Sequence, residues 1–239
     1  MDYEKWTEYG LKPSRVITFD CYGTLIDWET GIRNAFRSAM LRTGASQGLE
    51  SKAFELYEEE ERRVERERPH LLYRDVLAKT SLSVARKIGW KLSEAESTFL
   101  AKELPTWTPF PDTNPSLARL STEHTLGILS NVDNDLLAGT IKHFTSPFEI
   151  KVTAENVRSY KPALGHFEEA RRVIGDRHWT HVAASQYHDI EPAMQFGIKA
   201  VWVNRRGAHP AHDYSKRNVS LVRDLSQLAD LLGSDGVVS

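Results

Sequence analysis

Four short segments of the chain carry side chains that could do chemistry. In the first, Asp20 follows the apolar run Val16–Phe19 and precedes the sequence CYGT. In open α/β sheets the working groups collect at the carboxyl ends of the strands, where a carboxylate can act as a covalent nucleophile. An Asp that only caps a turn would give the same local pattern. The segment alone leaves both interpretations open.

The second and third segments place polar groups after an apolar run or before a helix. Ser130 and Asn131 follow the run Leu126–Leu129, where they could bind a ligand or only begin a helix. Lys161 directly precedes Pro162, a residue favoured in the first helical turn. A lysine beside a carboxylate lowers the pKa of the carboxyl group, whereas most lysines are solvated at the surface.

The fourth segment, Ser185–Asp189, follows the apolar run Val182–Ala184. Asp189 is placed to orient or activate a water molecule. His188 is a candidate base, although a His beside an Asp more often has a structural role. We therefore expect Asp189 rather than His188 to take part in chemistry.

The elements that must position these side chains alternate along the chain. The apolar runs, including Ala200–Val203, are too short for helices and predict buried parallel strands. Apolar residues at helical spacing predict helices over 162–174 and 221–232, and a further core helix is expected to start at Leu117–Leu120. Strands alternating with helices predict an α/β fold with a Rossmann-like parallel sheet.

Residues 29–108 are charged and helical in pattern, with no convincing strand. They predict an inserted helical cap domain, with the core formed by 1–28 and 109–239. Closure of the cap over a substrate predicts hinges near 26–30 and near 106–112, within a proline-rich return segment. The charge run at 57–68, YEEEERRVERER, has Glu–Arg pairs at 58/62 and 59/63 and predicts a solvated helix face.

Taken together, the four segments resemble the haloacid dehalogenase superfamily of hydrolases. Their order along the chain covers residues 16 to about 205, and the helical insertion falls where this superfamily carries its cap. The matching positions are Asp20-x-Tyr22-Gly23-Thr24, Ser130-Asn131, Lys161-Pro162 and Ser185…Asp189. The resemblance implies a Rossmann-like core with a cap and a possible homodimer.

At two positions this chain differs from the phosphatases of the superfamily, and the differences indicate which branch of the superfamily it resembles. Those enzymes carry a second Asp two residues after the nucleophile, where this chain has Tyr22, and a metal-binding Asp where it has Ala184. Tyr22 is shared with the type II 2-haloacid dehalogenases, whose halide leaves without a proton or a metal. The resemblance therefore implies a metal-independent dehalogenase of short 2-haloacids, with no metal ligands and no cofactor.

The resemblance also implies catalytic roles for four residues. Asp20 would attack the substrate α-carbon and expel halide, and water would then hydrolyse the aspartyl ester. Thr24 would orient Asp20, and Lys161 would keep it ionised. Asp189 would hold Lys161 and position the hydrolytic water.

The substrate side of the site is expected to consist of Tyr22, Ser130, Asn131 and Ser185. Ser130 would bind the substrate carboxylate, and Asn131 would help to hold substrate or halide. This chain has Phe167 where the dehalogenases have a Tyr.

A cap arginine that grips the carboxylate in the dehalogenases has no counterpart near 56–58. Arg62, Arg63 and Arg74 are the open substitutes, and the sequence does not choose between them.

Other activities stay open at this point. Opening of a strained ring such as azetidine-2-carboxylate would use the same attack on carbon, but the amine leaving group needs a proton, from Tyr22 or His188. A phosphatase would need the missing acid and metal ligand. A non-catalytic binding role is compatible with the fold but would not need Asp20 and Lys161 together.

Composition excludes several classes. The 239 residues contain 31 Lys and Arg against 33 Asp and Glu, a balance that argues against nucleic-acid or membrane binding. One cysteine, Cys21, excludes an intrachain disulfide, and no segment has signal-peptide length and hydropathy, so we expect a cytoplasmic protein. The expected partner is a small-molecule carboxylate substrate.

Two remaining features are interpreted as structural. Cys21 is expected to be a small buried packing residue rather than a nucleophile. The stretch HPAHD at 209–213 is expected to be a surface loop with incidental histidines, because no closed set of four zinc ligands is present.

Overall fold

The computed structural model describes residues 14–45, 48–214 and 217–233. Their strands form one parallel sheet of six strands in the order β3-β2-β1-β4-β5-β6. The strands are β1 Arg15–Phe19, β2 Thr125–Ser130, β3 Ile150–Thr153, β4 His178–Ala183, β5 Lys199–Val203 and β6 Val219–Val222. The predicted α/β architecture with a parallel sheet is therefore confirmed.

The two strands that the apolar runs did not predict lie at the two edges of the sheet. In β3 the side chain of Lys151 is exposed between buried neighbours, and β6 is only partly buried. An edge strand needs no continuous apolar run, because solvent reaches its outer side. This explains why short apolar runs found only the central strands.

Helices cover both sides of the sheet and fill the insertion after β1. Their bounds are α1 Trp28–Thr43, α2 Glu50–Glu65, α3 Tyr73–Ile88, α4 Phe99–Glu103, α5 Thr113–Leu120, α6 Asn134–Thr140, α7 Ala154–Val157, α8 Gly165–Ile174, α9 Glu191–Phe196 and α10 Leu225–Gly233. Three predicted bounds are corrected. The helix expected from residue 162 begins at Gly165, the one expected from Leu117 begins at Thr113, and residues 221–222 belong to β6 rather than to the last helix.

Alternate residues of β1 face different layers of the core. Ile17 and Phe19 pack with α5 and α10, whereas Val16 packs with α8 and α9 on the other face. Thr18 is fully buried on the face of β1 that Val16 occupies. Because both faces are covered, the strands of this sheet are buried along most of their length.

Only helices are found in the described residues between Trp28 and Thr106. The chain enters and leaves this helical segment side by side. The amide of Asp27 donates to the carbonyl of Thr108 at 3.0 Å, and that of Phe110 donates to the carbonyl of Leu25 at 3.0 Å. The boundaries of the cap at 29 and 108, and hinge motion at these two crossings, remain predictions.

The interpretation of the charge run in α2 as a solvated face is wrong in part. Tyr57, Glu60 and Val64 are 1%, 2% and 1% exposed. The carboxylate of Glu60 accepts hydrogen bonds from Ser83 and Arg63 and pairs with Lys87. Of the two expected pairs, Glu58–Arg62 forms at 3.6 Å. Arg63 instead contacts Glu60 and Glu67, because the buried Glu60 is its nearer acceptor.

Within the described ranges, no helix combines the length and the apolar character needed to cross a bilayer.

Candidate active site

Three of the predicted segments meet at the carboxyl ends of the central strands. Phe19 of β1 is in register with Ile128 of β2 and with Val182 of β4, so that Asp20, Ser130 and Ala184 follow on neighbouring strands. The amide of Asp20 continues the ladder by donating to the carbonyl of Val182 at 3.0 Å. The carboxyl ends of parallel strands thus bring together groups that are far apart in sequence.

Lys161 is the centre of this arrangement and is only 1% exposed. Its Nζ donates to Oδ1 of Asp20 at 3.0 Å, to Oδ1 of Asp189 at 2.6 Å and to the carbonyl of Leu129 at 2.8 Å. Burial alone would lower the pKa of Lys161, but the carboxylates of Asp189 and Asp20 outweigh burial and raise it. The amine therefore stays protonated, with its three hydrogens directed at three oxygens.

Asp20 is held through both carboxylate oxygens. Thr24 donates its hydroxyl proton to Oδ2 at 2.8 Å, and the Thr24 oxygen accepts from the amide of Ala184 at 2.9 Å. Burial raises the pKa of Asp20, and the ammonium of Lys161 acts against that increase. For Asp189, burial is outweighed by Lys161 and His181, so that its pKa is lowered. Asp189 is therefore the more firmly ionised carboxylate of the two.

The turn after Asp20 depends on Gly23. Its φ is +96°, in the region that side chains disfavour. A Cβ at this position would lie 2.8 Å from Nε1 of Trp28, which lines the same cavity as Asp20. The turn can therefore close against the indole only with glycine at this position.

The side chains of Ser130 and Asn131 differ in their hydrogen bonds at the site. Asn131 accepts from the amide of Lys161 at 2.7 Å and donates to its carbonyl at 3.1 Å, so both ends of its side chain are engaged in positioning the Lys161 backbone. Ser130 is 1% exposed, and its hydroxyl has no hydrogen-bond partner among the described residues. Of this pair, Ser130 is the residue with a free group to offer a ligand.

Tyr22 and Ser185 also line the cavity. The hydroxyl of Tyr22 is 2.8 Å from Oγ1 of Thr140, and the oxygen of Ser185 accepts from the amide of His188 at 3.0 Å. Burial lowers the pKa of His188 to about 4, which leaves its imidazole neutral at pH 7. The binding roles of Tyr22, Ser130, Asn131 and Ser185 remain predictions.

Sequence reasoning missed the buried support of Asp189. His181 lies on β4 with Nε2 3.0 Å from Oδ1 of Asp189 and Nδ1 2.9 Å from Oγ1 of Thr18. The indole of Trp179 donates to the same Thr18 oxygen at 2.7 Å. These residues form a continuous hydrogen-bonded chain beneath the site. The polar residues within the β4 pattern, HWTHVA, were the signal that could have found it.

The site opens into a cavity of about 530 Å³ between the sheet edge and the cap helices. Sequence reasoning also missed Glu61 and Glu65, which line this cavity from α2. Of the three open arginines, Arg62 lines it and pairs with Glu58. Arg63 pairs with Glu60 and Glu67, and Arg74 pairs with Asp133 and Asp135. Arg62 is therefore the one of the three that reaches the cavity.

Burial raises the pKa of both cavity-facing glutamates of α2. For Glu61, hydrogen bonds from Tyr57 and Tyr73 act in the opposite direction. For Glu65, the charge of Glu61 adds to the effect of burial, and the pKa is raised well above its usual value. Two carboxyl groups this close do not both ionise at low cost.

The side chains around Asp20 do not supply the ligands of a magnesium site. The Tyr22 hydroxyl contacts Thr140, Ala184 has no side-chain oxygen, and Asp20 and Asp189 share the ammonium of Lys161. In the described part of the chain, no group of three or more His, Cys, Asp or Glu side chains is arranged to hold a metal ion. Magnesium prefers a set of oxygen ligands that these residues do not supply.

A buried histidine behind the site gives a prediction for stability. His166 is fully buried, and its Nε2 hydrogen bonds to the carbonyl of Ser130 at 3.1 Å. Burial, together with Lys161, lowers its pKa to about 3, against about 6.5 in the unfolded chain. Because the unfolded chain then binds the extra proton, this group lowers the free energy of unfolding as pH falls from about 6.5 towards 3, by up to about 1.4 kcal/mol per pH unit.

Urea titrations of wild type and His166→Gln at several pH values between 4.5 and 7.5 measure this effect. We expect a shallower loss of stability towards low pH in the variant. Parallel curves for the two proteins would contradict the assignment.

Comparison with known proteins identifies the fold. No protein-family model matches the chain, and no curated protein matches it. A defluorinating L-2-haloacid dehalogenase is 23% identical with a TM-score of 0.79, over 93% of this chain and 98% of that one. The L-2-haloacid dehalogenase of Xanthobacter autotrophicus with covalently bound chloropropionic acid is 18% identical with a TM-score of 0.76, over 93% and 99%. A HAD-hydrolase of Bacillus subtilis bound to magnesium is 16% identical with a TM-score of 0.78, over 93% and 100%.

These identities show a shared fold and no more. The expected haloacid dehalogenase fold, with its parallel sheet, is confirmed. One of these neighbours is bound to magnesium, so the fold by itself does not decide between metal-dependent and metal-independent chemistry.

Proposed function

We propose that this protein is a metal-independent hydrolase that displaces a leaving group from an sp³ carbon through Asp20, with halide leaving from a short 2-haloacid. The observation that carries the proposal is the pairing of Asp20 with Lys161 and Thr24 beneath the cavity. Tyr22, which also lines the cavity, stands by the sequence resemblance where the phosphatases carry their general acid. A carboxylate held in this way is oriented and open to a substrate on one side, and the ammonium of Lys161 favours its ionised form.

The proposed reaction has two steps. An oxygen of Asp20 forms a bond to the α-carbon, and the carbon–halogen bond breaks with its electron pair leaving on the halide. Water then attacks the carboxyl carbon of the aspartyl ester, the ester C–O bond breaks, and the alcohol leaves with one proton of that water. The other proton is released to solvent, and Asp20 returns to a carboxylate. Oδ2 of Asp189 is buried, lines the cavity and has no hydrogen-bond partner among the described residues, which suits it to orient this water.

Opening of a strained ring such as azetidine-2-carboxylate is the second candidate. One observation favours it, since an amine leaving group needs an acidic partner and Glu65 holds its proton more tightly than an ordinary carboxyl group does. The sequence offered Tyr22 and His188 for this role. His188 suits it less, because its pKa of about 4 leaves it without a proton to donate at pH 7.

A cytoplasmic location and a small carboxylate substrate belong to the same proposal. The fully buried free thiol of Cys21 is compatible with a reducing compartment.

The experiment that tests the proposed function measures halide release from chloroacetate and from each enantiomer of 2-chloropropionate in the presence of EDTA. A phosphate ester with added magnesium and azetidine-2-carboxylate are assayed in parallel. We expect halide at an unchanged rate after chelation, because no step uses a metal. Loss of activity with EDTA and recovery with magnesium would overturn the metal-independent mechanism, and phosphate release alone would overturn the reaction class.

A further inference from the structure

The inner face of α2 presents two carboxylates to the cavity. Glu61 and Glu65 lie one helical turn apart, so both side chains are on the same side of the helix. Both line the cavity that contains Asp20 and Lys161. The cap therefore presents acidic groups towards the nucleophile.

The two glutamates are held in place by hydrogen bonds and not by ion pairs. Oε1 of Glu61 accepts hydrogen bonds from the hydroxyls of Tyr57 at 2.6 Å and Tyr73 at 2.5 Å. Oε1 of Glu65 has only a long contact of 3.5 Å to Nδ2 of Asn131. Among the described residues, neither glutamate forms an ion pair with Arg, Lys or His.

The outer face of the same helix is different. Glu58, Glu60 and Glu67, on or just after α2, all pair with basic side chains. Glu59, which also forms no ion pair in the described residues, is exposed to solvent, whereas Glu61 and Glu65 face the cavity.

The remaining charges around the cavity sharpen this contrast. Lys161 is shared by Asp20 and Asp189. The four arginines that the described residues place at the cavity wall have other contacts, and Arg62 pairs with Glu58 at 3.6 Å. The guanidinium of Arg33 stacks on Phe54, that of Arg205 pairs with Asp112, and that of Arg206 pairs with Glu29 and Glu58. In the described chain no Lys, Arg or His forms an ion pair with Glu61 or Glu65; the charge of Arg62 acts on both carboxyl groups, and that of Lys161 on Glu65, only without direct contact.

An independent feature shows that the cavity is built to receive a ligand. The hydroxyl of Ser130 is 1% exposed, lines the cavity and has no partner in the described residues. A buried polar group without a partner costs free energy unless a ligand or water satisfies it. Ser130 is the last residue of β2, next to Asn131, which has the long contact with Glu65.

We infer that Glu61 and Glu65 form a subsite for a positively charged nitrogen, so that the short acid attacked by Asp20 also bears an ammonium group. The inference rests on the proposed function for the position of the reacting carbon, and it names the class of substrate. A 2-haloacid without a positive charge leaves these two carboxyl groups without a countercharge, so we expect it to bind more weakly than one that carries an ammonium group. An ammonium group brings the missing countercharge and donors of the type these carboxylates accept.

Binding of two unreactive probes of similar size tests this inference. Pyrrolidine is a cyclic ammonium at pH 7, and cyclobutanecarboxylate is an anion. Dissociation constants for the complete chain are measured by calorimetry or ligand-observed NMR. We expect pyrrolidine to bind more tightly than cyclobutanecarboxylate, and Glu61→Gln and Glu65→Gln each to weaken pyrrolidine by about ten-fold or more, the range of a lost charge-assisted hydrogen bond.

Glu59→Gln is the matched control, because Glu59 is on the same helix and is exposed to solvent. It should leave the affinity for both probes unchanged. Preferential binding of cyclobutanecarboxylate, or pyrrolidine affinity that does not respond to Glu61→Gln, Glu65→Gln or the double variant, would overturn the inference. A thermal melt of each variant separates a change in binding from a loss of folding.

Neither probe is turned over, so this measurement is independent of the halide assay. Selective binding of pyrrolidine without halide release would leave the subsite standing and overturn the dehalogenase proposal. Halide release from 2-chloropropionate with no selectivity for pyrrolidine would support the dehalogenase proposal and overturn the subsite.

Discussion

Asp20→Asn is expected to abolish turnover while the protein still folds. An amide oxygen is a far weaker nucleophile than a carboxylate, and loss of a covalent nucleophile lowers the rate by at least about 10⁴-fold. The amide has nearly the same shape as the carboxylate, so its oxygen can still accept from Lys161 while its NH2 group donates to the oxygen of Thr24. Turnover rate and the urea midpoint, measured on the same preparation, check the two halves of this expectation.

The neighbouring thiol provides the control. Cys21 is fully buried, and burial raises the pKa of its thiol well above the usual value, so it is protonated and unreactive at neutral pH. Cys21→Ala should therefore retain turnover. Full activity in Asp20→Asn would show that the nucleophile is another group. Loss of turnover in Cys21→Ala with an unchanged melting temperature would indicate that the thiol takes part in catalysis.

Lys161→Met is expected to lose both turnover and stability. The methionine fills similar volume but leaves Asp20 and Asp189 buried beside each other without their shared cation. Removing one partner of a buried ion pair costs about 3–5 kcal/mol of the free energy of unfolding. Urea denaturation at pH 7 measures the stability, and the assays described above measure turnover.

A second variant separates the two effects of this change. Lys161→Met combined with Asp189→Asn removes one of the stranded charges, so we expect part of the lost stability to return while turnover stays absent. Equal stability of wild type and Lys161→Met would contradict the geometry, because the amine would then not be compensating buried charge. Additive losses in the double variant would show that the lysine and Asp189 are not coupled.

The strand ends were predictable because buried parallel strands leave a strong local signal. The runs ending at Phe19, Leu129 and Ala184 are apolar, and the first side chains after them are polar. Any parallel sheet places such residues at one edge, so their proximity follows from the fold class. Lys161 follows no apolar run, and only the family resemblance placed it among them.

The cap side of the site could not be predicted in the same way. The charge run in α2 places Glu and Arg residues on several faces of the helix. Contacts with distant residues such as Tyr73 decide which of these faces covers the cavity. A local pattern of Glu and Arg predicts a helix, but it does not predict which turn of the helix is buried against the rest of the protein. His181 was missed for a related reason, since a lone polar residue within a strand shows its partner only after the strands have paired.

The buried chain beneath Asp189 restricts how protons can move. Trp179 can only donate, so the Thr18 hydroxyl directs its hydrogen to His181, which in turn donates to Asp189. All hydrogens along this path point towards the carboxylate, and the path ends at an indole that cannot accept one. Conduction of a proton away from Asp189 along this path is therefore blocked. A proton released during turnover has to leave the site by another route, such as the cavity through which the substrate enters.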